Sequence, residues 1–171
     1  GMAHSQTLQR LSSGSWAVAD EPLCPRSLVE MVIQEARTQP WGPHHLHSQL
    51  PETLPERICG DPGRLRSALG AVLSFALANS SSGHIEVGAL WDGAGSKGTA
   101  VFYVQDASPG LFPAPEKGSL TDVIRRNADH LKSHRLGLEV AERLMSSLQG
   151  RLVTETDRLG GLIFRMEFPS R

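Results

Sequence analysis

The chain has 171 residues, of which 39% are hydrophobic and 20% are charged, and its formal net charge is −1. This length and apolar content are enough for one domain with a buried core. The near-zero charge argues against nucleic acid or an anionic membrane surface as the main partner. No apolar run reaches the roughly 20 residues that a membrane span needs, so no membrane contact is expected.

The N-terminal segment differs in composition from the rest of the chain. Residues 1–21 are polar and rich in Ser and Gly, and their pattern predicts a short helix at Gln6–Leu11. Gly1 before Met2 is typical of a residue left by tag removal. No signal peptide is visible, so the predicted location is the cytoplasm. We interpret residues 1–21 as a lead-in and residues 22–171 as the domain.

Cysteines and histidines give no strong disulfide or metal pattern. Cys24 and Cys59 are far apart and not in CxxC spacing, which favours two reduced, mostly buried thiols, with a disulfide as the alternative. His44, His45 and His47 lie close together in a Pro-rich segment, but no fourth residue follows at ligand spacing. We therefore interpret them as solvated or edge-strand side chains and predict no metal site.

The longest periodic segment, Asp61–Ser80, is predicted to be an amphipathic helix. Asp61 is a suitable N-cap and Pro62 suits the first helical position. One apolar sector should face the core; it contains Leu65, Ala68, Leu69, Val72, Leu73 and Ala76. A second apolar stripe beside it consists of Ala71, Phe75 and Ala78.

The other segments alternate between helical and strand patterns. Helices are predicted at Pro25–Arg37, Ser119–Lys132 and Gly137–Leu148, the last ending with Gly150 at the C′ position. Strands are predicted at Leu46–Leu50, His84–Trp91, Thr99–Gln105, Arg151–Glu155 and Leu162–Phe168. Arg57–Cys59 leads to the Asp61 cap, and Asp106–Pro115 is a loop. This order predicts an α+β fold, a two-layer α/β sandwich whose mixed, mostly antiparallel sheet is covered on one face by helices.

Five passages in this order resemble the catalytic and ATP-binding domain of sensor histidine kinases, within the GHKL ATPase superfamily. The first helix is similar in position, and Leu50–Arg64 (LPETLPERICGDPGR) resembles the family's passage before its long helix. Asp106–Leu111 corresponds to the DxGxG loop and Arg135–Leu138 to the end of the GxGLGL segment. Gly150–Pro169 resembles the closing hairpin. The resemblance covers about residues 22–169 and implies the Bergerat fold of that superfamily.

The resemblance implies an ATP site with named residues. The family uses the DxGxG aspartate, here Asp106, to accept a hydrogen bond from the adenine amino group. Its Gly-rich segment cradles phosphates with backbone N–H groups at a helix start. The positions carried over to this chain are Asp106, Gly110, Arg135, Gly137 and Leu138. Two loop glycines are replaced, by Ser108 and Ser133, and Arg135 replaces a third.

The metal site of the family does not carry over. Two Asn and a Lys on the long helix hold Mg²⁺ and approach the phosphates, because Mg²⁺ requires oxygen ligands. Their positions here are Ala71, Phe75 and Ala78, none of which can ligate a cation. We therefore expect ATP as a cofactor without a Mg²⁺ site and name no catalytic residue.

The sequence leaves three hypotheses for function. One is the ATP-binding domain of a bacterial two-component sensor histidine kinase, degenerate, with weak or no Mg²⁺-ATP phosphotransfer. Another is a pseudokinase or phosphotransfer scaffold that docks a response regulator or other parts of a longer signalling protein. The third is an anti-sigma-type serine kinase, which meets the same loss of Asn.

Overall fold

The computed structural model describes residues 17–38, 45–80, 84–94, 97–106, 117–118, 135–156 and 162–170. Within these residues it contains three helices and eight strands. The helices are α1 (Pro25–Arg37), α2 (Pro62–Asn79) and α3 (Arg135–Ser147). The strands are β1 (Glu21–Leu23), β2 (His45–Gln49), β3 (Ile58–Gly60), β4 (His84–Ala94), β5 (Lys97–Asp106), β6 (Lys117–Gly118), β7 (Arg151–Thr156) and β8 (Leu162–Ser170).

Six strands form one mixed sheet in the order β2-β4-β5-β8-β7-β6. β2 runs parallel to β4, and every other neighbouring pair in this sheet is antiparallel. β1 and β3 form a separate antiparallel pair. The predicted sandwich with a mixed, mostly antiparallel sheet is therefore confirmed.

The core lies between the helices and one face of the sheet. On β8, alternate residues from Leu162 to Phe168 are buried, as expected for a strand with one covered face. α2 packs against both α1 and α3. All six residues of its predicted core sector are at most 3% exposed, so that prediction is confirmed.

The start of α2 is held by a buried ion pair. Asp61 caps the helix by accepting a hydrogen bond from the Arg64 backbone N–H at 3.0 Å, as predicted, and also accepts one from the Ala19 N–H at 2.9 Å. The Arg64 Nε atom lies 3.3 Å from the Asp61 carboxylate, and both side chains are buried. The Arg64 Nη1 atom donates to the Ser147 hydroxyl, which joins the first turn of α2 to the last turn of α3.

The C-terminal end of α3 differs from the prediction at one residue. The left-handed C′ residue is Gln149, with φ of 60°, and not Gly150. The Gln149 N–H bonds to the Ser146 carbonyl and the Gly150 N–H to the Met145 carbonyl, which is a Schellman motif. Gly150 is required for another reason: a Cβ there would lie 2.2 Å from the Glu167 carbonyl oxygen of β8. A glycine is therefore needed at position 150 because the backbone passes close to β8, and not because its φ is positive.

Three short strands, β1, β3 and β6, were not predicted. β1 lies where the lead-in meets the domain and forms because Leu23 pairs with Ile58 across the chain. β6 lies between the predicted loop Asp106–Pro115 and the predicted helix Ser119–Lys132, and it pairs with β7, with Gly118 opposite Thr154. All three depend on a partner strand that is remote in sequence, so local patterns do not reveal them.

Cys24 and Cys59 are free thiols, as predicted, but both are half buried rather than mostly buried. Interactions with the hydroxyl and the backbone N–H of Ser27 lower the pKa of the Cys24 thiol. The predicted helices Gln6–Leu11 and Ser119–Lys132 lie outside the described residues. Of the helices that are described, none combines the length and apolar character needed to cross a bilayer.

Candidate functional site

The helix wall of the predicted site is apolar. Ala71 and Phe75 are fully buried and Ala78 is half buried. The Phe75 ring packs against Phe164 of β8, with centroids 5.6 Å apart and an angle of 86° between the planes. Phe75 therefore fills space between α2 and the sheet, and this stripe offers no oxygen or nitrogen to a metal ion.

Asp106 is placed at the end of a central strand. It is the last residue of β5, is 3% exposed and lies opposite Ile85 of β4. The hydroxyl of Ser80, the residue after α2, donates a hydrogen bond to Asp106 Oδ1 at 3.0 Å. This contact brings the end of α2 and the end of β5 together around a buried carboxylate acceptor.

The first turn of α3 holds the predicted phosphate-side residues. α3 begins at Arg135, so Gly137 and Leu138 lie within its first turn, and both are buried. The backbone N–H groups of such a turn have no partner within the helix, which is the physical basis of anion binding at helix starts. Gly110 and the remainder of the two predicted loops lie outside the described residues.

Two residues near this site were not selected from the sequence. Ser80 is only the last residue of the predicted helix Asp61–Ser80, and its hydrogen bond to Asp106 depends on the fold. Thr154 of β7 is fully buried, and its Oγ1 atom has no hydrogen-bond partner among the described residues. It lies beside Phe164 in the β7–β8 register. The sequence could have indicated Thr154, because it is a polar residue at a position of the predicted strand that faces the core.

No protein-family model matches the chain. It is 27% identical over 156 residues to the sensor protein TorS of Escherichia coli, which covers 91% of this chain. The chain spans only 16% of the length of TorS.

Among solved structures, the histidine kinase AdeS of Acinetobacter baumannii superposes with a TM-score of 0.70 and 17% identity, over 98% of this chain and 75% of AdeS. The ATP-binding domain of PrrB from Mycobacterium tuberculosis superposes with a TM-score of 0.61 and 20% identity. That match covers 90% of this chain and 98% of the PrrB domain. The fold is that of a histidine-kinase ATP-binding domain.

Within this kinase fold the chain keeps some of the features that the resemblance implied. Asp106 is present and buried at the end of its strand, and Gly137 lies at the start of the helix that follows the loops. The long helix presents Ala71 and Phe75 at the positions assigned to metal-ligating Asn. No three His, Cys, Asp or Glu side chains of the described segments are arranged to hold a metal ion together.

Proposed function

We propose that this chain is the ATP-binding domain of a cytoplasmic bacterial two-component sensor histidine kinase, or of a relative, in which Mg²⁺-dependent phosphotransfer is weak or absent. The observation that carries the proposal is the packing of Phe75 against Phe164 in a histidine-kinase fold. This packing supports the proposal that α2 keeps its structural contacts in the core but has lost the side chains that would bind a metal ion.

Mg²⁺ does not fit the donor set on α2. The ion requires near-octahedral oxygen coordination at about 2.0–2.1 Å. The side chains of Ala71 and Ala78 are methyl groups, and the phenyl ring of Phe75 has no polar atom. That ring is also 0% exposed, so it has no contact with solvent. No step of phosphoryl transfer can be assigned to these residues.

Adenine recognition by Asp106 is compatible with the geometry. A buried carboxylate that already accepts one hydrogen bond from Ser80 retains further lone-pair sites. In the family the equivalent carboxylate accepts from the adenine amino group. Gly137 and Leu138, and with them Arg135 and Gly110, remain the predicted contacts on the phosphate side.

The partners that we propose are other domains of a longer signalling protein or a response regulator. The chain corresponds to 16% of TorS, so a parent protein of this kind would carry further domains. A domain that binds ATP weakly and lacks phosphotransfer could still dock such partners as a pseudokinase scaffold. The same Phe75 contact favours this second role.

The decisive experiment is a thermal-shift titration with ATP in EDTA and in millimolar Mg²⁺. A bound ligand stabilises the fold by RT ln(1 + [L]/Kd). Without a metal site, Mg²⁺ should leave the Kd for ATP unchanged, so we expect the same rise in melting temperature in both buffers. Asp106→Asn should remove that rise. Asp92→Asn, the same change at an exposed residue, should leave it intact. A tenfold tightening of ATP binding by Mg²⁺ would overturn the proposed loss of the metal site.

A further inference from the structure

Two rows of side chains with metal-ligand chemistry lie on the parallel pair β2–β4. The register places His45 opposite His84 and, two residues further, His47 opposite Glu86. The rings of His45 and His84 are stacked, with centroids 4.7 Å apart and planes 10° from parallel. His45 does lie on an edge strand, as one of the predicted alternatives has it. The sequence did not predict its neighbour His84, because only the strand pairing brings the two together.

The two rows differ in what they contact. His47 Nε2 lies 3.4 Å from Glu86, and the Tyr103 hydroxyl donates to the same carboxylate at 2.9 Å. In that row, the Glu86 carboxylate therefore has two partners, His47 and Tyr103. His45 and His84 form the only row of like, metal-ligating side chains on the β2–β4 register, and both are exposed to solvent.

We propose that His45 and His84 chelate a divalent transition-metal ion such as Zn²⁺. Imidazole nitrogen is a ligand for this class of ion, with Zn–N distances of about 2.0–2.1 Å. Two such nitrogens on a tetrahedral ion lie roughly 3.3 Å apart, so the stacked rings need only turn toward each other. The backbone of the two strands already fixes their separation. Water completes the coordination, because no third ligand of the described residues converges here.

The site is independent of the proposed nucleotide function. Ile85, the next residue of β4, is buried in the core, and Asp106 opposite it is also buried, so His84 lies on the other face of the sheet. A bound ion would connect the edge strand β2 to β4. It should therefore stabilise the β2–β4 pairing rather than alter adenine recognition.

The test is calorimetric titration of the full chain with ZnCl₂, combined with NMR spectra recorded with substoichiometric Cu²⁺. We expect one binding event, weakened at least about tenfold by His45→Ala and by His84→Ala, because each variant leaves a single imidazole. Cu²⁺ should selectively broaden the signals of residues around His45 and His84.

His47→Ala is the matched control, because it removes an exposed histidine from the same face of the same strand. It should leave Zn²⁺ affinity within about twofold. A loss as large as that of His45→Ala, unchanged binding in both pair variants, or broadening centred elsewhere would each overturn the assignment.

Discussion

The rings of Phe75 and Phe164 meet nearly perpendicular, with centroids 5.6 Å apart and 86° between their planes. Edge-to-face aromatic pairs add to the hydrophobic gain of burying both rings. Phe75 is thus part of the core that joins α2 to β8. On the proposed function, a core residue stands here where the family has a metal ligand, and its packing stabilises the helix.

Truncating this ring should be costly. Phe75→Ala is expected to lower the free energy of unfolding by about 3–5 kcal/mol, since it leaves a cavity between helix and sheet. Chemical denaturation measures the loss. Ser74→Ala, at the neighbouring half-buried position, should change stability by no more than about 0.5 kcal/mol. Equal effects of the two substitutions would contradict the packing role.

The Asp61–Arg64 pair should matter far more than an exposed ion pair. Asp61→Ala removes the cap of α2 and leaves the buried Arg64 without its carboxylate, for an expected loss of about 3–5 kcal/mol. Glu35→Ala removes the partner of Arg66 on a surface where both side chains are about half exposed. That control should cost less than about 1 kcal/mol. Comparable losses in urea denaturation would show that burial does not distinguish the pairs.

The buried Thr154 hydroxyl predicts a stabilising substitution. Within the part of the chain that the structure describes, its Oγ1 atom has no hydrogen-bond partner, and burying an unsatisfied hydroxyl costs about 1–3 kcal/mol. Thr154→Val keeps the branched shape and should raise the free energy of unfolding by about 1 kcal/mol. Thr154→Ser retains the hydroxyl and loses a methyl group, so it should be less stable than the parent. A destabilised Thr154→Val protein would mean that the hydroxyl finds a partner in solution.

Tyr103 gives a direct prediction of pH dependence. Burial, then the hydrogen bond to Glu86 and its negative charge, raise the pKa of this phenol. In an unfolded chain a tyrosine titrates near pH 10. The stability from the neutral phenol is therefore fully present below about pH 10 and is lost as pH rises from there through the higher native pKa.

The measurement is simple because Tyr103 is the only tyrosine in the chain. The ultraviolet absorbance of the phenolate should titrate well above pH 10 in the native protein and near pH 10 in concentrated urea. Glu86→Gln should move the native midpoint down, because it removes the negative charge beside the phenol. A native midpoint at or below that in urea would refute the assigned environment.

Two adjacent residues at the end of α3 should respond in opposite ways. Gln149→Gly relieves a non-glycine residue at φ of 60° and should stabilise the protein by up to about 1 kcal/mol. Gly150→Ala forces a Cβ against the Glu167 carbonyl oxygen and should destabilise it. Gly70→Ala on α2 is a control, because a Cβ there meets nothing within 4 Å. Thermal unfolding of the three variants distinguishes steric conflict from general intolerance of the Gly-to-Ala change.

Much of the fold follows from local pattern. The Asp61 cap and the apolar sector of α2 were predicted because helix starts and amphipathic faces depend on nearby residues. The long strands β4, β5, β7 and β8 were predicted for the same reason, although β4 and β5 extend a few residues further than their patterns. Local pattern did not predict β1, β3 and β6, because their pairing partners are distant in sequence, and it assigned the wrong C′ residue to α3.

The candidate site was likewise predicted from the sequence only in part. The sequence determined the residue types, with Asp106 after an apolar strand and hydrocarbon side chains at Ala71, Phe75 and Ala78, because chemical identity is independent of the fold. Only the tertiary structure decided that Phe75 turns into the core against Phe164, that Ser80 donates to Asp106 and that His84 stacks on His45. Each of these contacts joins residues separated by many positions in the chain. Such distances are set by how helices and strands pack, which no local pattern encodes.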